Sequence, residues 1–480
     1  MRLRNITLEN FKCFGKKQRL DLGRLTILTG ANSSGKSSLM YSILGAIQSG
    51  EFPLQFSTNG KYVNMGDFQD IAFQRKRKNE ITLAFTFENA TTVAGNIEQL
   101  AIETVWIEDE KNNLPRLHEI VIQGDFFSIS LRKAPQNYIL NFSFEADSGY
   151  PDALDVSSTA LRLVSRALTK FTNKIDEGSV SSLVGKFDNP GTEYDKAFNK
   201  VFTQPVKIDH LEVSNLDSIY SKGLASLEKE GVLLEGVLLE GFISSVLTSI
   251  DNFDATMNFI SSFRLHPERT YLETTKSALK VERFGENYLD QIIAWETNES
   301  PKFGELMTTM EELGLLSGIK ASRMHGGRFE ITVQSKKDGV FTSLADVGFG
   351  ISQFLPILVA DLQLPGDSTL FVAQPEIHLH PDIQSRFGEF LIKQTARTKK
   401  NYIIETHSEY CLNRLRLGIV KGEIDAGDVA VYYLNASKDD PFDTDVHTIT
   451  FTKSGQILGA PPDFFTTYQM DVMEIALHAE

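Results

Sequence analysis

Gly30-Ala31-Asn32-Ser33-Ser34-Gly35-Lys36-Ser37-Ser38 decides how this chain is read. It follows the apolar run Leu25-Thr26-Ile27-Leu28-Thr29 and precedes a helical pattern, Leu39-Met40-Tyr41-Ser42-Ile43-Leu44. Glycine, four residues, then Gly-Lys-Ser is the spacing of a phosphate-binding loop. A strand delivers such a loop, its backbone N–H groups cradle phosphates, and the next helix turns its positive end toward them. On this reading Gly30, Asn32, Ser33, Ser34, Gly35, Lys36, Ser37 and Ser38 hold the nucleotide. Lys36 reaches the outer phosphates, and the Ser37 hydroxyl ligates Mg²⁺. A Ser/Gly-rich surface turn is the alternative; the strand before and the helix after argue against it.

The 480 residues, 41% of them hydrophobic, suffice for two or three domains around sizeable cores. No apolar stretch is long enough to span a bilayer, and Met1-Arg2-Leu3-Arg4-Asn5 leads into a strand pattern and not a signal-peptide core. Cys13 and Cys411 are the only cysteines, too few for a disulfide framework or a four-cysteine zinc site. The expected compartment is the cytoplasm. A net charge of −15 argues against a surface that coats DNA. Two local basic runs stay as candidates for nucleic acid: Arg75 to Lys78, and Arg397 with Lys399-Lys400.

Residues 1–29 read as a hairpin, with alternation in Leu3 to Leu8 and again in Gln18 to Leu22. This strand, then Asn10-Phe11-Lys12-Cys13-Phe14-Gly15, then Leu20 through Ser38, resembles the N-terminus of SMC-like ABC ATPases, the branch that contains RecF and the OLD-family proteins. In that family a glutamine soon after the phosphate loop helps hold Mg²⁺ and the attacking water. The resemblance makes Gln69 the candidate, with Gln55 and Gln74 as rivals; a surface glutamine is the plain alternative for all three.

From about 80 to 145, strand patterns dominate: Ile81 to Phe87, Leu100 to Ile107, His118 to Ile122, Phe126 to Leu131 and Tyr138 to Phe144. Short turns between them imply an antiparallel sheet. Helical spacing follows in Ala160 to Phe171, Asp195 to Phe202, Ser218 to Glu230 and Phe242 to Phe259. A tandem duplication, Gly231 to Glu235 and Gly236 to Glu240, lies within this stretch. The insert is too short for long coiled-coil arms, so a compact helical lobe is expected, and with it a partner surface. Phe263 to Arg269 reads as a charged loop. Phe329 to Leu344 reads as a hairpin with an Asp338-Gly339 turn.

Gly348-Phe349-Gly350-Ile351-Ser352-Gln353 opens an apolar helical run and offers a second anion-binding surface. Its place before the strand Leu370–Val372 resembles the ABC signature motif, which in that family contacts the γ-phosphate held by the opposing subunit. The resemblance thus implies that Gly348, Gly350, Ser352 and Gln353 face a partner's ATP, in a homodimer or higher homo-oligomer of heads. Pro375-Glu376-Ile377-His378-Leu379-His380-Pro381 closely resembles OLD-like defence ATPases, whose strand ends in an acidic pair before the proline. A subgroup with a C-terminal domain of unknown function has Glu-Gln there. Here the pair is Ala373-Gln374, so the expected metal-proximal acid is missing. Three readings stand side by side: an inactivating replacement that traps ATP, an ATPase that relies on Glu376, and a nucleotide-binding subunit that hydrolyses poorly. Asn401 to Glu405 is another strand, ending in Thr406-His407-Ser408, and the resemblance makes His407 the residue that senses the γ-phosphate. His378 and His380 are spaced as a metal pair could be, but the family pattern makes them structural.

The expected fold is therefore α/β: an ABC/SMC-type P-loop ATPase head with an antiparallel β subdomain and an inserted helical lobe. Boundaries are drawn at 1–75 for the N-terminal ATPase lobe, 76–150 for the β subdomain and 151–260 for the helical insert. The C-terminal ATPase lobe takes 261–435 and a tail region 436–480. The catalytic set comprises Gln374, Glu376, His407 and the position of Ala373; ATP and Mg²⁺ are the ligands. The resemblance implies a head that dimerises on ATP and regulates or senses for an effector partner in bacterial anti-phage defence, away from membranes. A RecF-like DNA repair or recombination ATPase is the competing function.

Overall fold

The structure is a computed structural model that describes residues 1–92, 95–125, 127–135, 138–144, 206–208, 246–272, 280–462 and 464. It comprises two compact units: Met1–Leu20 with Tyr41–Ala255, and Asp21–Met40 with Thr256–Glu480.

The first unit is built on an eight-stranded sheet. Its order is Gln18–Asp21, Arg2–Glu9, Ile81–Thr92, Gly95–Asp109, Leu114–Gln123, Phe127–Lys133, Tyr138–Phe144 and Val206–Ile208. The pairings from Arg2–Glu9 onward are antiparallel. Alternation drives it: Ile81, Leu83, Phe85 and Phe87 all point to one face and are fully buried. Phe85 meets Phe52 edge-on at 5.7 Å, and the buried indole of Trp106 donates to the Thr104 hydroxyl at 2.8 Å. The expected antiparallel sheet is present and takes in the N-terminal strand as well. Within the basic run, Arg75 lies 3.3 Å from Asp70 and Arg77 lies 3.5 Å from Glu108, so two of its four charges are paired inside this unit.

A seven-stranded sheet organises the second unit, in the order Met257–Ile260, Thr369–Ala373, Asn401–Glu405, Leu25–Gly30, Val429–Ala436, Thr444–Phe451 and Ile457–Leu458. The first five run parallel and the last two are antiparallel. Leu25–Gly30, Thr369–Ala373 and Asn401–Glu405 are buried along their whole length, as the central strands of a parallel sheet must be. Phe349–Gln363, Pro381–Thr398 and Glu409–Lys421 are helices that contribute to the core around this sheet. Their limits follow local chemistry: Pro381 opens one helix behind a His380 cap, and Ser408 caps the next, which stops at Gly422 with φ +71°. A smaller sheet contains the hairpin read at 329–344, where Thr332 pairs Ser343, together with the strand Gly318–Arg323, which the pattern did not reveal.

Two expectations change. The helical pattern read through Phe259 breaks earlier: the helix ends at 255, and Met257–Ile260 is an edge strand beside Thr369–Ala373. Lys400, read as part of a basic cluster, is buried; its Nζ lies 3.3 Å from Asp361 Oδ2 and donates to the Asp361 carbonyl at 2.6 Å. The proposed helices between 160 and 240 and the duplicated segment lie outside the described residues. Among the described residues no helix is long and apolar enough to cross a membrane.

Candidate functional site

Three of the parallel strands end side by side, and ligands of open α/β sheets bind beyond such carboxyl ends. Leu25–Gly30 runs into the phosphate loop, Thr369–Ala373 into Gln374, and Asn401–Glu405 into Thr406. The strand carrying Glu405 lies between the other two. In register, Ala373 stands beside Glu405, and Glu405 beside Leu28.

The loop's backbone explains its glycines. Gly30 has φ +132°, and a Cβ there would sit 2.0 Å from the Leu434 carbonyl oxygen. Ser33 and Gly35 also have positive φ, +60° and +97°. Such a run of turns gathers N–H groups into an anion-binding concavity. Asn32 and Ser33 are exposed, whereas Ser34 and Lys36 are buried. Helix Lys36–Gln48 begins here with no acidic residue in its first turn, leaving its positive end uncompensated. Lys36 Nζ donates to the carbonyls of Gly30 at 3.2 Å and Ala31 at 2.6 Å. Burial lowers its pKa, with Glu405 and Glu376 acting in the opposite direction.

The Ser37 hydroxyl lies 2.9 and 2.8 Å from the two carboxylate oxygens of Glu405. A hydroxyl and a carboxylate in contact are hard oxygen donors, which fits Mg²⁺. Glu405 closes an apolar strand and carries no local signal of its own; only the strand order brings it to the phosphate loop. Burial raises its pKa, and the Ser37 hydroxyl and Lys36 oppose the shift.

Beyond Ala373, Gln374 adopts φ +47°, its N–H donating to the Glu405 carbonyl at 2.7 Å. Glu376 accepts the His407 N–H at 2.6 Å, and burial raises its carboxyl pKa. His407 is exposed at the end of its strand; partial burial and the Lys36 charge lower its pKa, favouring the neutral ring at neutral pH. The structure thus brings together Lys36, Ser37, Glu376, Glu405 and His407. Arg264 joins them through its guanidinium, which donates to the Gln374 carbonyl at 2.9 Å.

The turn at Gly348 to Gln353 opens helix Phe349–Gln363. Gly348 is exposed with open space beside it, while a Cβ on Gly350 would come 2.5 Å from the His378 carbonyl oxygen. Ser352 and Gln353 are turned inward: Ser352 donates to the Phe349 carbonyl, and Gln353 to the carbonyls of Arg264 and Leu265. Their side chains serve the fold of this turn, whereas Gly348 is exposed and Phe349, Gly350 and Ile351 are half-buried. His378 has φ +64°, and His380 caps the following helix. Among the described residues no cluster of three or more His, Cys, Asp or Glu is placed to hold a metal. Gln69 lies in the other unit on the short helix Phe68–Ile71, donating to the Arg75 carbonyl at 3.4 Å.

The profile of the AAA ATPase domain family matches residues 1–412. The chain belongs to that family. Among curated proteins none matches it. Among solved structures it is similar to the SMC head domain from Thermotoga maritima, at 10% identity and TM-score 0.38, over 93% of this chain and 99% of that one. It is also similar to the Smc head domain of Pyrococcus furiosus bound to the C-terminal domain of ScpA, at 13% identity and TM-score 0.40, over 99% of both chains.

Proposed function

We propose that this chain is the ATPase head of a switch: heads pair on Mg-ATP, each phosphate loop facing the partner's Gly348–Gln353 turn, and the paired state governs an effector protein. The observation that carries this reading is the Ser37–Glu405 contact beside Ala373. The groups for holding nucleotide and metal are together, while a methyl group stands where a second acid is expected. Ser37 and Glu405 would hold Mg²⁺, which when bound neutralises charge on the β- and γ-phosphates.

Lys36 and the loop amides bind the phosphates. Neutral His407 can donate a hydrogen bond to the outermost one, while the Gln374 amide can orient a water but cannot take its proton. Glu376, tied to the His407 backbone, is the remaining carboxylate near the reaction. The chain is therefore equipped to hold ATP more readily than to cleave it. The defence setting follows from the sequence resemblance. Direct action on DNA has less support, since Arg75 and Arg77 face carboxylates and Lys400 is buried.

Glu405→Gln tests the metal reading. ATP affinity measured with Mg²⁺ is expected to fall roughly 10–100-fold, with no loss in EDTA. An equal loss in both conditions removes Glu405 from the metal site. Gly348→Arg tests pairing: space is open there, so the variant folds, but a bulky cation on the presented turn should abolish ATP-dependent association in sedimentation velocity. Association that persists in this variant sinks the facing-heads arrangement.

A further inference from the structure

Arg264 follows the edge strand Met257–Ile260 on a charged loop. It is only 6% exposed, and its Nε and Nη1 have no hydrogen-bond partner among the described residues. Its Nη2 donates to the Gln374 carbonyl at 2.9 Å and more weakly to Ser262 at 3.4 Å. The backbone carbonyls of Arg264 and its neighbour Leu265 accept the Gln353 side-chain amide at 3.3 and 3.1 Å. The next residue, His266, stacks on Phe349 at 4.5 Å, and Phe349 meets His378 edge-on at 4.8 Å. Gly350 closes the circuit, backed against the His378 carbonyl.

Apart from the weak bond to Ser262, every link ends on one of two turns: Gly348–Gln353, or the turn from Gln374 to His378. Gln374 holds a left-handed backbone that a residue with a side chain rarely adopts, so something must keep it there. A buried guanidinium clamped on its carbonyl does so. Burial pushes the Arg264 pKa down to about 10, which still leaves it charged at neutral pH.

We infer that Arg264 is a positioning residue that fixes the Gln374–Glu376 turn and couples it to the Gly348–Gln353 turn of the same head. This rests on the reading of those turns as nucleotide-facing. A head whose outer turn engages a partner's nucleotide then adjusts its own Gln374 and Glu376 through Gln353 and Arg264. Hydrolysis at one site becomes conditional on pairing at the other.

Hydrogen–deuterium exchange of the full chain, with and without Mg-ATP, reads this directly. In the unmodified chain ATP is expected to protect peptides covering 25–38 and 374–380. In Arg264→Lys, exchange across 374–380 without ligand should rise at least about tenfold. ATP should then protect 25–38 as before but not 374–380. A general loss of structure would move other segments too, and that outcome overturns a specific role. Should Arg264→Lys fail to fold, Gln353→Leu cuts the other end of the link and should show the same uncoupling. Protection of 374–380 by ATP in the folded variant overturns the inference. If ATP protects neither segment of the unmodified chain, the nucleotide reading itself fails and the coupling with it.

Discussion

Ala373→Glu is expected to raise ATP turnover roughly 10²-fold or more above the chain with Ala373, and only with Mg²⁺ present. Ala373 ends a fully buried strand, and its in-register neighbour is Glu405, whose carboxylate contacts Ser37. A carboxylate added here would stand beside the Ser37 and Glu405 oxygens proposed to hold Mg²⁺, and would add a hard oxygen donor and a charge able to polarise water. Without metal, the new charge would face Glu405 in a half-dry site already near Glu376, and like charges there repel. The variant should therefore melt at a lower temperature than the parent in EDTA. It should regain stability with Mg²⁺, by about 2.7 kcal/mol at a hundred times the dissociation constant. Turnover at background despite intact ATP binding would show that Ala373 is not what limits the reaction.

Lys400→Met should reduce the stability of the second unit by about 3–5 kcal/mol, the usual result of leaving one member of a buried ion pair alone. Asp361 is wholly buried in helix Phe349–Gln363; Lys400 and the Tyr402 hydroxyl reach it from the start of the strand that ends at Glu405. Burial raises the Asp361 carboxyl pKa and lowers that of the Lys400 ammonium, each opposed by the other's charge. Removing the lysine strands the carboxyl. Asp361→Leu combined with Lys400→Met removes both desolvated groups and should recover most of the loss. Chemical unfolding followed by fluorescence separates the units, since Trp106 lies in the first and Trp295 in the second; Trp106→Phe leaves the second alone. Independent, additive losses in the two single variants would argue against a shared ion pair.

Those residues also show what a linear sequence conceals. The phosphate loop was legible because its glycines and Lys36 answer local demands of backbone and charge. The antiparallel sheet was legible because alternation is local too. Glu405 and Arg264 were not, since their importance depends on strand order and burial that no short window carries. Lys399 and Lys400 look alike in sequence. One ends a helix with φ +56° in solvent and the other turns into the core. Met257–Ile260 merged with the helical pattern before it because three apolar residues around Asn258 suit either period.

The order of strands in the second unit has a consequence for synthesis. Leu25–Gly30 leaves the ribosome early, but both strands that flank it, Asn401–Glu405 and Val429–Ala436, are encoded about 370 residues or more downstream. At roughly 5–20 residues per second the nascent phosphate loop waits roughly 20–70 s for its neighbours. Through that interval an apolar strand with two open edges must be kept from pairing elsewhere. The parallel sheet therefore closes late, when Asn401–Glu405 and Val429–Ala436 reach the two edges of Leu25–Gly30.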